Sequence, residues 1–188
     1  VLGSEDDFKQ FIDKAKEKGV YVILDGVFNH TGDDSKYFDK YGHYGRVGAY
    51  TNPDSKYRNW FIFEKYPEKY ASWWGITTLP TINKPCHEYE DYIAVENGII
   101  EKYAKMGVAG FRLDVVDEIP DSFVKKIRKK LKEVNPQAIL IGEVWEDATN
   151  KIAYDKRRAY FQGEELDSVM NYELKNAILN YVISGNVS

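Results

Sequence analysis

The 188 residues include a single cysteine, Cys86, so the chain can close no internal disulfide and build no multi-cysteine zinc site. A reducing compartment is compatible with that, and cytoplasmic residence is the expectation. No apolar run approaches the roughly 20 residues that cross a bilayer, and Val1 to Asp7 lack the basic and apolar stretches of a signal peptide. An excess of positive charge is also missing. The chain has 26 Lys and Arg against 30 Asp and Glu, a net charge of -4, which supplies no field for nucleic acid or an anionic membrane. The patterns G-x-G-x-x-G, P-loop and H-E-x-x-H do not occur, which removes the dinucleotide, P-loop nucleotide and zincin readings. Gly42, Gly45 and Gly48 are spaced for turns rather than for a pyrophosphate.

With 43% hydrophobic and 30% charged residues, the chain is long enough to bury a core. Phe8, Phe11, Ile12 and Ala15 recur at helical spacing behind a capping-box pair, Ser4 and Asp7, with Gly19 as a stop. Val20 to Phe28, Val108 to Val116 and Ile139 to Trp145 are the nearly continuous apolar runs of strands buried on both faces, and Ser168 to Tyr172 is a weaker fourth. Starts about 30 residues apart match a βαβ repeat. Helices are expected over Glu88 to Met106, over Ser122 to Val134 and around Leu174 to Val182. The middle one carries Phe123, Val124, Ile127, Leu131 and Val134 on one face and a basic, solvated face opposite. This alternation predicts a parallel α/β architecture. One interval is too long for the repeat, so residues 29–85 are expected as an inserted, loop-rich subdomain between barrel segments 1–28 and 86–188. The insertion holds nearly half of the aromatic residues. Most of these rings should pack on one another, leaving others free to face sugar rings.

Each convincing strand carries a carboxylate near its C-terminal end: Asp25, Asp114 and Glu143. This is where α/β barrels place their chemistry. Strand alternation puts Arg112 and Asp114 on one face and Phe111, Leu113 and Val115 on the other. The arginine favours an ionised Asp114, as a nucleophile requires. Apolar neighbours such as Trp145 should raise the pKa of Glu143 toward that of a general acid. Such a pair is the apparatus of glycoside hydrolysis. Three other readings stay open: an ion-pair network serving only the fold, an enolase-like barrel holding magnesium, and a non-catalytic glucan-binding fragment.

Asp25-Gly26-Val27-Phe28-Asn29-His30, Gly110-Phe111-Arg112-Leu113-Asp114 and Gly142-Glu143-Val144-Trp145 resemble, in order and spacing, three signature regions of the α-amylase family, glycoside hydrolase family 13. Leu79-Pro80-Thr81-Ile82-Asn83 and Asp167-Ser168-Val169-Met170-Asn171-Tyr172 are similar to regions of its neopullulanase, cyclomaltodextrinase and maltogenic amylase group. The resemblance implies a partial (β/α)8 TIM barrel, about strands 3 to 6, with the insertion after strand 3. It also implies a retaining mechanism on α-glucans, with Asp114 as nucleophile, Glu143 as acid/base and Arg112 orienting Asp114. By the same likeness His30, Asp25 and Trp145 belong to the sugar site, and Asp117 and Glu118 to its acceptor side. Asn29 matches a position that supports a calcium-linked junction in many relatives, so calcium is admitted although no cofactor is required. The partners implied are α-glucan oligosaccharides or polysaccharides, with a homodimeric parent. A complete barrel needs about 250 residues, so the chain reads as the central piece of a larger enzyme, inactive by itself.

Overall fold

A computed structural model describes residues 3–185. The chain divides into two compact units, one formed by the chain up to Gly26 and from Ala94 onward, the other by Val27–Ile93. In chain order the elements are α1 (Glu5–Glu17), β1 (Ile23–Gly26), β2 (Phe63–Lys65), β3 (Lys69–Tyr70), α2 (His87–Ala94) and α3 (Ile99–Lys105). There follow β4 (Gly110–Leu113), α4 (Asp121–Val134), β5 (Ile139–Gly142), β6 (Ile152–Ala153), β7 (Lys156–Arg157), β8 (Ser168–Val169) and α5 (Tyr172–Ser184).

The first unit is built on a four-stranded sheet of order β1-β4-β5-β8. All three pairings are parallel, and the register sets Asp25 beside Arg112 and Arg112 beside Ile141. The strands are shorter than the apolar runs that announce them. At the end of β1 the Asp114 N–H reaches the Gly26 carbonyl, and Val27 already belongs to the other unit. The Ser4 side chain accepts from the Asp7 N–H and the Asp7 carboxylate accepts from the Ser4 N–H, so the start of α1 closes as a capping box. Phe111, Leu113 and Val115 are buried, as are Phe123, Val124, Ile127 and Leu131 of α4. These residues form the core behind the sheet.

Two expectations need correction. The helix expected from Glu88 to Met106 is two helices, because Asn97 takes a left-handed φ of 62° and Gly98 caps α3. An Asn-Gly pair is a turn signal that outweighs the apolar periodicity running through it. The basic face of α4 is only partly solvated. Arg128 and Lys132 hold Asp167 at 2.8 and 3.0 Å, and thereby the approach to β8. Helix α5 forms where it is expected, with Leu174, Ile178, Tyr181 and Val182 exposed.

The second unit has little regular structure and an aromatic centre. Phe38 is fully buried, with Phe61 and Tyr70 ring centroids 4.9 and 4.7 Å away. Trp60 packs edge-on against Tyr57 and Tyr89 at 4.8 and 5.0 Å. Helix α2 thus adds a ring to this core, and the compact unit reaches past residue 85. Tyr41, Tyr44 and Trp74 remain exposed. Cys86 is buried as a free thiol.

Candidate active site

The site in the first unit follows from two periodicities, the alternation along β4 and the parallel register across three strands. Arg112 Nη1 lies 2.6 Å from Asp25 Oδ1 and 2.8 Å from Asp114 Oδ1, and its Nη2 lies 2.8 Å from Glu143 Oε1. One planar guanidinium therefore gathers carboxylates from the ends of three adjacent strands, a task its fork of donors suits better than an ammonium would.

Glycine makes close approach feasible at two points, of β4 to β5 at Gly110 and of β5 to the segments carrying Leu166 and Val116 at Gly142. A Cβ on Gly110 would stand 2.0 Å from the Ile139 carbonyl oxygen, and one on Gly142 would stand 2.5 Å from Leu166 Cδ1 and 2.8 Å from Val116 Cγ1. Between them the chain is strained at Val115, whose φ of 40° and ψ of 54° are left-handed. For a β-branched residue that costs on the order of 1–3 kcal/mol. The strain aims the Val115 N–H at Glu143 Oε2, 2.9 Å away.

Glu143 departs from the sequence expectation. Burial does push its pKa upward, and Trp145 does contact it. However, the Val115 N–H, a hydrogen bond from the Trp145 side chain, the Arg112 charge and a hydrogen bond with Asp114 outweigh that penalty and hold its carboxyl below the usual range. Trp145 acts through its indole N–H rather than as an apolar wall. Its ring is 45% exposed, so it can still meet a ligand.

The remaining predicted residues separate into two groups. Asp117 and Glu118 lie in the 3-10 turn Val116–Glu118 that follows Asp114, and both are engaged. Asp117 takes Lys151 Nζ at 3.2 Å and the Tyr160 hydroxyl, while Glu118 takes the Tyr154 hydroxyl. His30 and Asn29 belong to the second unit. There His30 is buried, stacked on Trp73 at 5.2 Å, and accepts from Asn29 Nδ2 at 3.3 Å.

Asn29 does not fit a calcium ion. Its side-chain oxygen, the atom a hard cation would need, accepts a hydrogen bond from the Lys84 ammonium. Among the described residues no group of three His, Cys, Asp or Glu side chains could hold a metal. Sequence reasoning also passed over Val115 and Arg158. A backbone N–H leaves no mark in a sequence, and a buried arginine looks like any other.

Residues 1–187 match the family model "Alpha amylase, catalytic domain". The chain belongs to the α-amylase family. It is 34% identical to an amylopullulanase of Thermoanaerobacter thermohydrosulfuricus over 205 residues, covering 97% of this chain and 13% of that protein. Neopullulanase 2 of Thermoactinomyces vulgaris is 28% identical over 193 residues, covering 99% of this chain and 30% of its own length. Among solved structures, Ttha1563 of Thermus thermophilus superposes with a TM-score of 0.80 at 33% identity, covering 96% of this chain and 36% of that one. This α-amylase family chain thus spans well under two thirds of each relative. Among its described residues no helix is long and apolar enough to cross a membrane.

Proposed function

We propose that the chain carries the nucleophile and the acid/base of a retaining glycosidase acting on α-glucans such as starch, pullulan, cyclodextrins and maltooligosaccharides. The observation that supports it is the convergence of Asp25, Asp114 and Glu143 on Arg112 at the C-terminal ends of adjacent parallel strands. Asp114 attacks the anomeric carbon as the glycosidic C–O bond breaks, and Glu143 delivers its proton to the leaving oxygen. In the second step the Glu143 carboxylate takes a proton from water, whose oxygen displaces Asp114.

Arg112 pairs with both carboxylates and holds them together at the strand ends. Asp25 and Trp145 contact sugar, and Asp117 and Glu118 shape the acceptor side through the turn they occupy. No step is assigned to a metal. The whole protein is taken as a larger, homodimeric and cytoplasmic enzyme, and the present chain turns over glucan negligibly when assayed alone.

The test is turnover of maltooligosaccharide and pullulan by the whole enzyme. Asp114→Asn and Glu143→Gln should each lower kcat about a thousandfold or more while leaving KM little changed. Near-normal kcat in either variant would reject the assignment. A rate near 1 per second from the purified chain, an ordinary enzymatic scale, would reject the claim of inactivity.

A further inference from the structure

We infer that Lys151–Tyr160, in the connection between β5 and β8, is a strap that positions the turn after Asp114, with Arg158 as its central positioning residue. The catalytic consequence rests on the functional reading above, while the structural claim stands by itself.

The grip is dense and comes from one side. The carbonyl oxygens of Val116 and Ile119 accept from Arg158 Nη2 at 3.1 and 2.7 Å. Asp117 receives Lys151 and Tyr160, and Glu118 receives Tyr154. Asp121 meets Lys156 Nζ at 2.5 Å and Arg158 Nη1 at 3.0 Å. From Val116 to Asp121, every residue except Pro120 is held by a side chain of the strap. The strap is closed on itself by the Arg158 N–H to the Lys151 carbonyl at 2.8 Å and by the β6–β7 hairpin. The hairpin carries exposed Ile152 and Tyr154, yet Arg158 beside it is only 7% exposed. A buried guanidinium is tolerated only when its donors are met. Here Nε donates to the Tyr160 hydroxyl at 3.0 Å and Nη2 to the two carbonyls, while Nη1 is ion-paired with Asp121 at 3.0 Å.

Packing alone would call for an apolar side chain at this place. Arg158 instead brackets the turn by two carbonyls, and that turn begins one residue after Val115. If the bracket is released, Val115 can leave its left-handed conformation and carry its N–H away from Glu143 Oε2. The other groups facing Glu143 are Arg112 of β4, Asp114 just beyond that strand and Trp145 on its own segment, with Asp25 of β1 reaching it through Arg112. None of these is touched by the substitutions below.

The experiment is a 13C NMR titration of the Glu143 side-chain carboxyl in the 188-residue chain, with fold checked by amide dispersion and urea unfolding. Arg158→Met should raise the proton affinity of Glu143 about tenfold, Tyr160→Phe about threefold, and Arg158→Lys should restore most of the wild-type value. Leu131→Ala, a destabilising change in the core of α4, should leave that titration where it is. Arg158→Met decides the matter if it folds, and Tyr160→Phe decides it if it does not. A midpoint equal to wild type in the deciding variant overturns the proposal, as does an equal shift in Leu131→Ala. The titration requires no turnover, so failure of the glycosidase reading, seen in the Asp114 and Glu143 variants, is distinguishable from failure of the strap.

Discussion

Replacing Arg112 by Met keeps much of the side chain's length and removes its charge, leaving three carboxylates without their shared cation. The effect is unevenly distributed, because the side chains of Asp25, Asp114 and Glu143 are 57%, 21% and 11% exposed. The Asp25 pair is mostly hydrated and should contribute about 0.5 kcal/mol or less. Stripping one partner from a fully buried pair costs about 3–5 kcal/mol. With partial exposure, the Asp114 and Glu143 pairs together should bring the loss at pH 7 to about 3 kcal/mol. The dependence on pH separates charge from packing. The pKa of Glu143 is lowered from its ordinary value of 4.5, so its contribution is fully present above that value and disappears as pH falls through the lower folded-state value. In the variant the Arg112 share of that depression is lost, while the Val115 and Trp145 hydrogen bonds remain and burial pushes the other way. The gap between wild type and Arg112→Met should therefore shrink from about 3 kcal/mol at pH 7 to about 1 kcal/mol near pH 3, where packing loss remains. Urea unfolding followed by tryptophan fluorescence at pH 7, 5, 4 and 3 measures it. A gap that stays constant over that range would show that Arg112 acts through packing, and the electrostatic reasoning would fall.

Two further outcomes concern the frame around the site. Gly110→Ala should abolish the cooperative urea transition or cost more than about 4 kcal/mol, since the new methyl would meet the Ile139 backbone oxygen at 2.0 Å and neither strand can yield without breaking the ladder. Ser4→Ala removes the cap of α1 and should lower stability by about 1 kcal/mol, seen as a small fall in Tm with the Glu143 titration unmoved.

Much of the frame was legible because it is local. The Ser4 and Asp7 cap, the buried stripe of α4 and the two faces of β4 are short-range periodicities, and the parallel order followed from the repeat length. Arg112, Asp114 and Glu143 were legible as a group because neighbouring strands with strand-end carboxylates bring them into register. What the sequence hid is what depends on three-dimensional convergence. A nearby tryptophan predicts a raised Glu143 pKa, but a hydrogen-bond donor lowers a carboxyl pKa where a ring face would raise it, and only geometry decides which part of Trp145 is presented. The Asn97-Gly98 turn signal sits inside an apolar periodicity that masks it. Helix α5 was legible as a helix, yet its apolar residues do not say by themselves whether this chain covers them, and here it leaves them exposed.

The contact between Lys84 and Asn29 gives the second unit a cation by covalent inheritance. A bound ion exchanges with its surroundings, and its occupancy follows concentration and competing chelators. The Lys84 ammonium is tethered to the same chain as its acceptor, so its supply is a matter of effective concentration. It is synthesised one to one with the oxygen it serves, survives dialysis, and is lost only by changing the gene that encodes it.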